Sequence, residues 1–207
     1  MLDSLLDIAQ EKDNVIKHLL LDLFLAGTDT SSSTVEWAMA ELLRNPELMV
    51  KAQEEIREVI GGNDAVKELD VFKLPYLQAV VKETLRLHPP SPFLIPRTSK
   101  SDDVRIFEFS IPKNTQVLVS LWAIGRDPNE WENPKHFEPE RFWEEKLIIC
   151  PGLPLGLRIV HLCLASLLYG FDWKYQNCVL PENVDMSEAF GVTLHKAVQC
   201  LARSMFD

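Results

Sequence analysis

The chain has 207 residues, 46% hydrophobic and 25% charged, a globular composition that excludes a disordered tail, a collagen and a disulfide miniprotein. Lys plus Arg total 21 against 31 for Asp plus Glu, and the resulting net charge of −10 repels a phosphate backbone, so no nucleic-acid partner is expected. The cysteines, Cys150, Cys163, Cys178 and Cys200, show no Cys-x-x-Cys spacing, which argues against a zinc site and a secreted disulfide framework and suits a reducing compartment.

The leucine-rich run at 19–25 is broken by Asp22 and falls well short of the roughly 18 consecutive apolar residues of a membrane span. The chain therefore reads as soluble, or as a soluble part of something anchored elsewhere. Segments 14–26 and 35–43 are rich in Leu, Ala, Glu and Met and predict helix, closed by Asn45-Pro46. Residues 46–60 predict an amphipathic helix with Leu48, Ala52, Ile56 and Val59 or Ile60 on one stripe, stopped by Gly61-Gly62-Asn63. A third helix is expected over 74–88, ended by Pro89-Pro90.

The period then changes. Residues 104–111 and 115–121 predict two strands joined across Pro112-Lys113-Asn114. Between 125 and 142, Pro128, Pro134 and Pro139 preclude regular structure, while the aromatic content predicts a packed meander. Residues 153–169 are apolar nearly all round and predict a buried helix, and the tail at 193–202 a small hairpin.

Three places carry candidate chemistry. Residues 26–34, Ala-Gly-Thr-Asp-Thr-Ser-Ser-Ser-Thr, set a polar block between two helical halves, at a cost in helix propensity of roughly 4 kcal/mol relative to alanine. Periodicity favours a loop here, with Ser33-x-x-Glu36 as a capping box. The other reading is one long helix, locally opened so that an acid and an alcohol face a buried ligand, and composition leaves both open. Glu83 and Arg86 lie three residues apart on one helix face, an arrangement that is usually a solvated ion pair but here is flanked by apolar positions. Cys150-Pro151-Gly152 precedes the apolar helix, where the helix dipole favours a thiolate able to bind metal; an ordinary buried cysteine fits the same pattern.

Taken in order, these sites resemble the haem-thiolate monooxygenases of the cytochrome P-450 superfamily, the plant microsomal branch in particular. The likeness rests on Ala26-Gly27-Thr28-Asp29-Thr30-Ser31, Glu83-Thr84-Leu85-Arg86 with Leu87-His88-Pro89-Pro90, Pro96-Arg97, residues 122–128, Phe137-Glu138-Pro139-Glu140-Arg141-Phe142 and Cys150-Pro151-Gly152. It implies a mainly α fold with small β-sheets, the C-terminal half of the cytochrome P-450 fold. Residues 1–207 would form one partial domain, with the N-terminal half and the membrane anchor outside it, and residues 14–44 would be one long helix.

The resemblance implies haem as cofactor, with Cys150 as the axial ligand of its iron, and electrons from NADPH through a reductase. It assigns Asp29 and Thr30 to proton delivery in oxygen activation, and Ala26 and Gly27 to leaving room for oxygen and substrate. Arg97 and Gly152 would contact the haem, and Glu83, Arg86 and Arg141 would form a buried structural triad. Residues 91–95 and 190–192 would border the pocket of a small apolar substrate, with a hint of terpenoid hydroxylases that oxidise geraniol. Intact members sit on the cytosolic face of the endoplasmic reticulum membrane; this chain, without the anchor, is expected in the cytosol.

The haem-binding loop departs from the family pattern Phe-x-x-Gly-x-Arg-x-Cys-x-Gly: Trp143, Lys146 and Ile148 stand where Phe, Gly and Arg belong. The segment is also shorter, as if an internal block had been lost. The seven residues 143–149 span at most about 25 Å, enough for Cys150 to reach the haem site but without the usual turn and propionate partner. For this chain, that loop favours a scaffold that binds haem weakly or not at all over an active enzyme.

Overall fold

A computed structural model describes residues 13–62, 65–102, 104–143, 153–175, 180–191, 193–199 and 202–205. Its first helix, α1, runs unbroken over Asp13–Arg44. The loop that periodicity favours at 28–34 is therefore not formed, and no opening interrupts the helix. The physical reason lies in the side chains: Thr30 Oγ1 donates to Ala26 O at 2.5 Å, Ser32 Oγ to Thr28 O at 2.8 Å and Thr34 Oγ1 to Thr30 O at 2.7 Å. Each hydroxyl bonds back one turn, so the polar block is satisfied without leaving the helix.

Helix α2 spans Pro46–Ile60 and α3 spans Pro75–Leu87, each with proline in its first turn, where the missing N–H costs nothing. The cap of α3 comes from its neighbour. Glu55 of α2 accepts the Tyr76 and Leu77 backbone N–H groups, at 2.7 and 2.9 Å, satisfying two of the donors that a helix start leaves open. After the one-turn helix α4, Leu121–Ile124, the long helix α5 covers Leu153–Gly170. The core lies between α1, α2, α3 and α5, filled by Leu42, Ile56, Leu77, Val80, Val81, Leu164 and Leu168. Helix α5 is not buried all round: Leu155 and Ile159 are exposed, because its neighbours cover one face.

The strands differ from expectation. Arg97–Thr98, Val104–Ile106, Phe109–Ile111 and Gln116–Val117 form β1 to β4, pairing antiparallel as β1 with β4 and β2 with β3. The run at 104–111 is thus a hairpin in itself. Ile106 faces Phe109 across a two-residue turn in which Phe107 adopts φ +53°, a conformation that a Phe-Glu pair does not advertise. A turn does form at Pro112, with Thr115 N donating to Pro112 O at 3.2 Å, but it connects strands of two different sheets.

Beyond α5, Asp172–Tyr175 (β5) pairs with Ala202–Met205 (β8), and Glu188–Phe190 (β6) with Leu194–Lys196 (β7). The C-terminal hairpin therefore covers Glu188 to Lys196, upstream of the expected 193–202, because Gly191 closes its turn: a Cβ there would lie 2.9 Å from His195 Cε1. The meander at 125–142 is irregular as expected and ends in a 3-10 turn, Pro139–Phe142, that packs on α3.

Candidate active site

Glu83 and Arg86 are both buried on α3 and share two hydrogen bonds of 2.7 Å, from Arg86 Nε to Oε2 and from Nη2 to Oε1. Arg86 is otherwise spent on the meander: it donates to the carbonyls of Gly125, Pro134 (2.8 Å) and His136 (3.1 Å). Glu83 Oε1 also accepts the Glu138 N–H at 2.9 Å and lies 3.4 Å from Arg141 Nε. Arg141 in turn pairs with Glu138 at 2.7 Å and donates to Asn133 O at 3.1 Å. The structure thus brings Glu83, Arg86 and Arg141 together, and these charges order the meander on α3.

Asp29 and Thr30 lie on α1. Thr30 is spent on Ala26 O, whereas Asp29 Oδ2 accepts the Thr193 hydroxyl at 2.7 Å. Ala26 and Gly27 are exposed, and a Cβ on Gly27 would meet nothing within 4 Å. Arg97 is exposed on β1 and makes no ion pair among the described residues. Cys150 and Gly152, with Lys146 and Ile148, lie outside the described residues. Among the described residues no group of three or more His, Cys, Asp or Glu could hold a metal ion, and no helix is long and apolar enough to cross a membrane.

A second cluster ties four segments that sequence reading leaves separate. The rings of Trp37 and His88 stack with centroids 3.8 Å apart and 2° between planes. His88 Nε2 lies 2.8 Å from Glu41 Oε1, and Nδ1 3.4 Å from Glu188 Oε1. Glu188 also accepts Trp122 Nε1–H at 2.8 Å and Arg126 Nη2–H at 2.9 Å. Burial opposes ionisation of Glu188, but the adjacent His88 ring, the Trp122 N–H and the Arg126 charge hold its carboxyl below the usual range. Glu41, Glu188 and Thr193 carry no local signal in the sequence, since each acts through a partner far away in the chain.

The family model for cytochrome P450 matches residues 1–200. The chain belongs to the cytochrome P450 family. Cytochrome P450 76C3 of Arabidopsis thaliana is 59% identical over 218 residues, which cover 95% of this chain and 42% of the relative. Geraniol 8-hydroxylase of Swertia mussotii is 48% identical over 218 residues, covering 95% of this chain and 44% of the relative. A solved structure of a zebra fish cytochrome P450 with progesterone is similar at a TM-score of 0.78 and 33% identity, covering 89% of this chain and 44% of that one. The fold is thus a partial cytochrome P450 fold, mainly helical with small antiparallel sheets, and the chain spans less than half the length of the curated relatives it matches. An alignment of 218 positions that draws on 95% of 207 residues also leaves about twenty positions of the P450 relative without a counterpart here.

Proposed function

We propose that the chain is the C-terminal part of a haem-thiolate monooxygenase that inserts one oxygen atom into a small apolar molecule of terpenoid type, with electrons from NADPH through a reductase. The observation that carries this reading is the family match over residues 1–200; the substrate class rests on relatives named geraniol 8-hydroxylase. Among the described residues, a Cβ on Gly27 would meet nothing within 4 Å, and the exposed Arg97 guanidinium is of a kind that can take a carboxylate.

Haem, when bound, would supply oxygen activation. Cys150 would hold its iron through sulfur, Gly152 would let backbone approach, and Arg97 would neutralise a propionate. Ala26 and Gly27 would keep space beside α1, while Asp29 and Thr30 would hold and pass protons. Glu83, Arg86 and Arg141 would serve folding alone. The altered loop before Cys150 lowers haem affinity, since it lacks the glycine turn and the arginine of the family pattern, and the unmatched positions support a lost internal block. Relatives of this kind would sit on the endoplasmic reticulum, facing the cytosol.

The test is a graft of residues 1–207 onto the N-terminal portion of a geraniol 8-hydroxylase, in two versions: loop unchanged, and loop restored to Phe-x-x-Gly-x-Arg. With reductase and NADPH, the restored graft is expected to add one oxygen atom to geraniol, the unchanged graft to do so poorly and the chain alone not at all. A restored graft that fills with haem yet oxidises no terpenoid alcohol would refute the substrate reading. One that takes up no haem would favour a scaffold without catalytic function.

A further inference from the structure

Asp29 stands on an exposed stretch of α1, where an untethered carboxylate would sample several rotamers in water. Its Oδ2 is held by the Thr193 hydroxyl at 2.7 Å, across 164 residues of sequence, while Oδ1 accepts no hydrogen bond among the described residues. Thr193 is 5% exposed, and β-branching limits its χ1, so its hydroxyl is a stiff donor.

The backbone around Thr193 is fixed as well. Its carbonyl accepts Gly191 N–H at 3.0 Å, and Leu194 N–H donates to Pro90 O at 2.8 Å. Leu194 O takes two donors from α1, Ser33 Oγ at 3.1 Å and Trp37 Nε1 at 3.4 Å, one and two turns beyond Asp29. The opposite strand is anchored through Glu188 to Arg126 and Trp122. Phe190 of the same hairpin is 76% exposed, an apolar side chain on a rigid arm.

We propose that Thr193 is the positioning residue for Asp29: its hydroxyl fixes one carboxylate oxygen, turns the other outward for proton exchange, and links the acid to the hairpin that carries Phe190. This rests on the monooxygenase reading of Asp29, but the contact itself can be examined without haem.

The experiment compares the full chain with Thr193→Val and Thr193→Ser by carboxyl carbon-13 spectroscopy at a pH where aspartates are ionised, with amide spectra as the check on folding. The Asp29 resonance is expected to move toward that of free aspartate in the valine variant and to stay in place in the serine variant. Should the valine variant not fold, Thr193→Ala takes its place, and the serine comparison stands. In the restored graft, the valine variant is expected to lose roughly tenfold in product formed per NADPH, the scale of one charge-assisted hydrogen bond, with KM unchanged and serine restoring the ratio. An Asp29 resonance indifferent to the valine change would overturn the proposal, as would a moved resonance with unchanged product per NADPH. If the restored graft with Thr193 intact takes up no haem, the monooxygenase reading fails, if it fills with haem but makes no product, the substrate reading fails, and in both cases the spectra still decide whether Thr193 positions Asp29.

Discussion

The Glu83 carboxylate and the Arg86 guanidinium meet edge to edge inside the protein, with two contacts of 2.7 Å and side-chain exposures of 0% and 2%. Neither charge faces water, and the remaining Arg86 N–H groups donate to backbone carbonyls of the meander, those of 125, 134 and 136. A buried pair of this kind contributes little net stability over an apolar substitute, but it dictates which loop packs where.

Glu83→Ala leaves Arg86 buried and uncompensated and is expected to cost about 3–5 kcal/mol, with the meander losing protection first. Urea unfolding together with amide exchange at residues 133–142 measures this. A variant as stable as wild type would place the pair outside the folding core.

Gly125 lies against the Arg86 carbonyl oxygen, so a methyl group there would overlap backbone that α3 cannot move. Gly125→Ala should therefore destabilise by roughly 1–3 kcal/mol, the range of overpacking, although its φ is ordinary for any residue. Gly27→Ala, with nothing within 4 Å of the added carbon, should leave folding unharmed or slightly firmer. Melting temperatures of the two variants, measured side by side, check the contrast.

His161 is buried on α5, and its Nε2 has no hydrogen-bond partner among the described residues. Burial, with the Lys82 charge adding to it, pushes its imidazole down to about 4 from an ordinary value of 6.5. The unfolded chain therefore binds a proton between these values while the folded chain does not. The associated stability is complete above about pH 6.5 and is lost as pH falls toward 4, by about 3 kcal/mol. His161→Leu should flatten this part of the stability profile, and a variant with the wild-type acid slope would assign the loss to other groups.

Much of this was legible in the sequence because the signals are local. Proline at positions 46 and 75 marks two helix starts, and the Glu83–Arg86 spacing places both groups on one face. The polar block at 28–34 misleads for a physical reason: its propensity cost is real, but hydroxyls that bond back one turn, and Ser33 and Asp29 bonded to the hairpin, keep the helix intact. The fold at Phe107 is hidden because its residues are not turn formers, and the Trp37–His88–Glu41–Glu188 cluster because its members come from distant segments. Conversely, Arg97 and Gly27 are located by family likeness alone, with no local energetics to mark them.

Under the function proposed above, a family haem site would survive here in weakened form, with Cys150 as its ligand. The direct measurement is a haem titration of the wild-type chain beside Cys150→Ala, followed by the reduced carbon monoxide difference spectrum of each. The wild type is expected to bind weakly with a thiolate-type spectrum, and the variant to lose that spectrum. Equal binding with identical spectra would contradict this reading and make Cys150 an ordinary cysteine, whereas tight stoichiometric binding by the wild type would contradict the weakening ascribed to the altered loop.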